Sequence, residues 1–162
     1  MVKIELLTEF ERIVGPQLIV LFIFFGIASY TDIKDQKIYD WITGGLAAYN
    51  ATFFVLIPLI QGEWGFALQS VLGGILSFTI IIVPAMIFLI KAGGDIKFIG
   101  AAGLAFGLIP SAMWLAVSAI LLFIYGLYLK KIKNQSSWTV IPFAPFLFAG
   151  LLINLLGYIL FI

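Results

Sequence analysis

Residues 66–90, FALQSVLGGILSFTIIIVPAMIFLI, run for 25 positions without a charged side chain. A helix needs about 20 mostly apolar residues to cross about 30 Å of hydrocarbon, and in lipid it satisfies every backbone N–H and C=O within one segment. A run this long predicts a transmembrane helix and commits the rest of the chain to a membrane fold. Five further apolar stretches, at about 14–31, 41–60, 98–109, 111–129 and 142–162, extend the pattern. The chain is therefore expected to be all-α: a polytopic helical bundle of six transmembrane helices with a short fourth one, forming a single domain over residues 1–162. With 63% hydrophobic and 10% charged residues, there is too little polar surface for a separate soluble domain.

The fourth stretch, FIGAAGLAFGLI, has 12 residues, roughly 18 Å of helix, and crosses only if its neighbours shield it. Gly100, Gly103 and Gly107 leave one face of it without side chains, where another helix can approach closely, so burial in the bundle is expected. Pro110 is expected to break the run and turn the chain into the fifth span.

Orientation follows from the lysines. Lys34 and Lys37 follow the first span, Lys91 and Lys97 flank the third connection, and Lys130, Lys131 and Lys133 follow the fifth span. Alternating crossings gather all of these on one side, which the positive-inside rule makes the cytoplasm, with both termini outside. Trp41, Trp64 and Trp138 fall near span ends, as interfacial aromatics do. Residues 1–13 carry Glu5, Glu9 and Glu11 and no small-residue cleavage site, so they read as an interfacial segment rather than a secretory signal.

The chain contains no His and no Cys. That removes Ser-His-Asp and Cys-His catalysis, thiol redox chemistry, Cys/His zinc sites and His-ligated haem. Acid-base chemistry would fall to carboxylates, Lys or Tyr, and no metal or cofactor is expected. Asp32, Asp35, Asp40 and Asp95 all lie on the predicted cytoplasmic side. Taken singly they have plain explanations. Asp95 suits a helix N-cap after Gly93 and Gly94, and Asp32 suits a solvated span end, although a carboxylate there opposes the helix dipole. Asp35 and Asp40 either solvate the loop or attract a basic peptide. Lys34 and Lys97 read as orienting lysines, and Asn50, Gln69 and Asn154 as interhelical hydrogen-bonding groups.

Together, Asp32 and Asp95 suggest more. If the first and fourth spans pack side by side, two carboxylates meet in a site of low dielectric and share a proton. The ionised member takes a proton from water while its protonated partner donates to a scissile amide, which is aspartic-protease chemistry. Gly93 and Gly94 would let a substrate strand approach the backbone.

Three stretches then resemble one family. Asp32 in DIKDQKIYDW is similar to the first catalytic motif of the prepilin peptidases, AGGDIK to their G-x-G-D motif, and IPFAPFLFAG (residues 141–150) to the Pro-Phe-Gly/Ala-Pro stretch opening their last helix. The resemblance implies a GxGD-type membrane aspartyl endopeptidase of the prokaryotic plasma membrane. Such an enzyme cleaves short basic leaders from type IV pilin-like precursors, prepilins or archaellins (preflagellins), at the cytoplasmic face. It implies Asp32 and Asp95 as the catalytic pair, with Gly93, Gly94, Asp35 and Asp40 toward substrate, and no nucleic-acid partner. Ala92 and Tyr39 depart from the family pattern, where Gly and Pro are usual. The paired cysteines of many bacterial members are missing, which implies peptidase without methyltransferase activity. Two other readings compete: a non-enzymatic small carrier or assembly subunit, and a presenilin-like or signal-peptide-peptidase-like protease, whose Tyr-Asp motif is interrupted here by Thr31.

Overall fold

The computed structural model of the chain describes residues 16–87, 93–132 and 141–161. The expected interfacial segment 1–13, Lys91, Ala92, Lys133 and Trp138 lie outside the described residues. Among the described residues there are six helical segments: α1 (Pro16–Asp35), α2 (Asp40–Ile60), α3 (Trp64–Ile87), α4 (Gly93–Phe106), α5 (Leu108–Ile132) and α6 (Ala144–Phe161). In α2 the turn Thr52–Leu56 widens to a π-helix just ahead of Pro58. A proline has no N–H to give the carbonyl four residues earlier, and a π-bulge absorbs that misfit.

Helices α1, α2, α3 and α5 are each long and apolar enough to span a membrane, while α6 is apolar but shorter. Their outer faces carry Ile19, Ile23, Leu68, Ile75, Val83, Ile120 and Phe123, all exposed. So much exposed aliphatic surface on the same helices suits lipid rather than water. The chain is a multi-pass membrane protein.

Inside lipid there is little hydrophobic drive between helices, so close packing and interhelical hydrogen bonds must hold the bundle. Close packing is most developed at α3 and α4. A Cβ added at Gly73 would lie 2.5 Å from the carbonyl oxygens of Gly103 and Gly107, and one at Gly103 would strike Gly73 and Ser77. Gly103, one of the three glycines noted in the sequence, thus meets Gly73 of α3 at close range. The burial expected of α4 is also observed: Phe98, Ile99, Ala102 and Ala105 are fully enclosed.

The turn after α4 corrects the expectation for Pro110. Gly107, at φ +76°, makes the break, and α5 starts at Leu108 with Pro110 inside its first turn. A positive φ is cheap only for glycine, whereas proline is tolerated in a first turn because its missing N–H would have no intrahelical partner.

An aromatic cluster joins the other helices. The ring of Phe25 in α1 lies 5.0 Å from Phe98 of α4, 5.6 Å from Trp114 of α5 and 6.2 Å from Phe148 of α6. The buried indole N–H of Trp114 donates to the Leu147 carbonyl at 2.8 Å, tying α5 to α6.

Candidate active site

α1 continues one turn beyond its apolar stretch and carries Asp32 in its last turn. Gln36 then takes a left-handed backbone, φ 51°, and returns its N–H to the Asp32 carbonyl at 3.0 Å. A residue in that conformation just past the last turn is a common helix stop. Ile38 is 3% exposed and plugs the short connection into the core. α2 opens on Asp40, an acid at the positive end of its dipole.

The same connection closes over the start of α4. A Cβ on Gly94 would lie 2.7 Å from the Ile38 carbonyl, so glycine is required there by the approach of the protein's own backbone. Gly93 is open, with nothing within 4 Å of its would-be Cβ. Asn50, fully buried in α2, donates to the Ala101 carbonyl at 2.8 Å and fastens α2 to α4 as an intramembrane amide was expected to do. Asn154 instead donates to Gly150 of its own helix, and the buried Gln69 Oε1 has no hydrogen-bond partner.

Asp32 is 5% exposed. It lies seven residues after Phe25, about two helical turns, and so shares its face; Asp95 precedes Phe98 by three residues and lies within about 60° of its face. The Phe25–Phe98 ring contact thus lies on or near the faces of α1 and α4 that carry the two acids. Their carboxylates interact: burial first, and then the charge of Asp32, pushes the Asp95 carboxyl up to about 6. Asp95 belongs to the first turn of α4, ahead of the apolar run and outside the four candidate spans.

One oxygen of Asp32 is already engaged. Its Oδ2 accepts the backbone N–H of Ala144 at 2.8 Å, across 112 residues of chain. At the start of α6 the Phe143 carbonyl takes the N–H groups of Phe146 and Leu147, Phe143 has no side-chain oxygen to cap the helix, and Pro145 has no N–H. The Ala144 donor thus turns to the last turn of α1 for an acceptor. Sequence reasoning placed 141–150 in a familiar stretch without giving it a role. The signal was present: a helix start with no capping side chain and a proline at its second position needs an acceptor from elsewhere.

A cleft of about 330 Å³ opens beside Asp95, walled by Gln36, Lys37, Ile38, Asp40, Gly93, Gly94 and Lys97. Lys97 donates to Asp40 Oδ1 at 2.8 Å across its exposed rim rather than facing Asp95. Asp35 lies outside this cleft and accepts the Tyr39 hydroxyl at 3.1 Å. Lys34 is over the ring of Tyr30. Of the six residues singled out, Asp40, Gly93, Gly94 and Asp95 share the cleft, Asp32 is buried against the start of α6, and Asp35 is apart. Among the described residues no group of His, Cys, Asp or Glu could hold a metal ion.

A family model described as the type IV leader peptidase family matches residues 19–127, a stretch that includes both Asp32 and Asp95. The chain belongs to that family. Comparison with curated proteins and with solved structures gives no significant match. Leader peptidase membership makes this multi-pass membrane protein a protease with protein precursors as substrates. The matched stretch ends inside α5, so α6, which supplies the Ala144 donor to Asp32, lies beyond it.

Proposed function

We propose that the chain is an aspartic-type endopeptidase that uses Asp32 and Asp95 as its catalytic dyad to remove short basic leaders from type IV pilin-like precursors. The observation that carries this reading is the placement of two acids from within the family match, one buried and one opening on a cleft, near enough for the charge of Asp32 to act on Asp95. Two carboxylates that share a site titrate as a pair and hold one proton between them until the pH passes the higher of their two steps, here about 6. Asp95, whose carboxyl is pushed up to about 6, is the member suited to carry that proton. Asp32, whose Oδ2 accepts a backbone N–H, is held in one orientation for that exchange.

In this mechanism a water between the two acids gives a proton to the ionised carboxylate as its oxygen attacks the scissile carbonyl. The protonated partner donates to the carbonyl oxygen, and collapse of the tetrahedral intermediate returns a proton to the leaving amine. All six helices cross the bilayer in this reading, with α4 shielded by its neighbours and the cleft facing the cytoplasm. Gly93, Asp40 and the cleft floor receive the leader, and Gly94 shapes the cleft by admitting Ile38. No methyl transfer accompanies cleavage.

Co-expression with a pilin-like precursor, followed by its mobility shift on a gel, tests the proposal. Asp32→Asn and Asp95→Asn are each expected to abolish processing, whereas Asp35→Asn, outside the cleft, retains most of it. Normal processing by either dyad variant would overturn the reading.

A further inference from the structure

The hydrogen bond between α6 and Asp32 has a consequence for the reaction. A carboxylate with two oxygens can turn about its last torsion, and a catalytic one must present a chosen oxygen to water. Here Oδ2 is pinned by the Ala144 N–H at 2.8 Å, at 5% exposure, which leaves Oδ1 as the oxygen for chemistry. Three features make the donor specific. Pro145 removes the neighbouring N–H, Phe143 provides no competing side-chain cap, and Trp114 clamps the first turn of α6 through the Leu147 carbonyl. Helix α6 is thereby held by α5 at one residue and by Asp32 at another, three positions apart on the same turn. A second group lies one turn before Asp32: Ser29 is 8% exposed and its Oγ has no hydrogen-bond partner. The surroundings of Asp32 thus contain a fixed backbone donor on one oxygen and a buried, uncommitted hydroxyl on the same helix face.

Resting on the dyad proposed above, we infer that Ala144 is a positioning residue: its backbone N–H fixes the carboxylate rotamer of Asp32, so α6 is part of the catalytic apparatus. The contribution belongs to the main chain, which is why a small residue before Pro145 suffices and no side chain at 144 needs to act.

The test separates the donor from the side chain. Ala144→Pro deletes the N–H at a helix start, where proline's fixed φ is well tolerated. Ala144→Gly keeps the N–H and is the control. With purified protein and a pilin-like precursor, Ala144→Pro is expected to lower kcat roughly 10- to 100-fold, the loss of one charge-assisted hydrogen bond, with KM little changed. A fall in kcat at unchanged KM and retained thermal stability is a split that a merely structural role would not cause. Ala144→Gly keeps kcat within about threefold, a cost of under 1 kcal/mol. A wild-type kcat for Ala144→Pro, or an equal loss in Ala144→Gly, overturns the inference. If proline lowers the yield of monodisperse protein, a backbone ester at 144 removes the same donor without fixing φ. An activity-independent readout keeps this test distinct from that of the dyad. In protein labelled with ¹³C at aspartate carboxyls, the Asp32 resonance, assigned by its loss in Asp32→Asn, should differ in chemical shift between wild type and Ala144→Pro and agree between wild type and Ala144→Gly. An unchanged resonance in Ala144→Pro overturns the inference even if no precursor is ever cleaved. A changed resonance without precursor cleavage sustains the hydrogen bond's role and refutes the substrate reading alone.

Discussion

Replacing Gly73 with alanine tests whether the contact between α3 and α4 sets the position of Asp95. A Cβ there would lie 2.5 Å from the carbonyls of Gly103 and Gly107, against ordinary contact from 3.4 Å, so the helices must separate by about 0.9 Å. The obstacle is backbone, of the buried Gly103 and Gly107, and no flexible side chain can swing away. Overpacking of this kind typically costs about 1–3 kcal/mol. It also displaces the element that carries Asp95, and a misplacement of about 1 Å at a catalytic centre typically costs about 100-fold in rate. Gly73→Ala is therefore expected to lower the unfolding temperature in detergent and, more sharply, precursor cleavage. Gly126→Ala provides the control, since nothing lies within 4 Å of its would-be Cβ. Differential scanning fluorimetry and single-turnover cleavage measure the two effects. Wild-type stability and rate in Gly73→Ala would refute the claim that the glycine contact positions α4.

Asp95→Asn should be inactive yet more stable than wild type at pH 7. The folded carboxyl is pushed up to about 6 from 3.8, so ionisation opposes folding progressively as pH rises from about 4 to 6 and fully above that. Removing the charge should recover about 1–3 kcal/mol at pH 7 and little below pH 4, read from thermal melts at the two pH values. An equal gain at both pH values would contradict the assignment. Gln36→Gly should stabilise by about 1 kcal/mol, because Gln36 holds φ 51° and only glycine adopts it without strain; an unchanged melting temperature would count against this. Asp40→Asn breaks an exposed, solvent-screened ion pair with Lys97 and should leave the melting temperature near wild type. It should raise KM for basic-leader precursors while leaving kcat near wild type, and an unchanged KM would remove Asp40 from the substrate path.

Much of the architecture was legible along the chain because lipid imposes a length rule on each helix independently. The apolar runs located all six helical segments to within a few residues, and Gly103, noted in the sequence, lies where α4 approaches α3 most closely. Proline misled at Pro110, since a helix's first turn accepts proline and Gly107 can take the positive φ that the turn required. The two acids were also legible, because few ionisable groups occur in so apolar a chain and each one needs a reason.

What the linear sequence could not supply is which groups meet. Asp40 was read as loop solvation or leader attraction, but α2 and α4 bring it to Lys97. Gly94 was read as room for a substrate, but its missing Cβ admits Ile38. Ala144 carried no chemical signal in its side chain, because its contribution is a main-chain N–H that every residue but proline possesses. By itself the sequence determined a membrane bundle, with acids whose presence demanded explanation. The tertiary structure decided that Asp95 opens on a cleft within reach of the charge on Asp32, and that Asp32 is held by the start of the last helix, 112 residues away. The physical reason is that periodicity and length act within one helix, whereas a hydrogen bond or a pair of coupled charges is fixed only when separate helices pack.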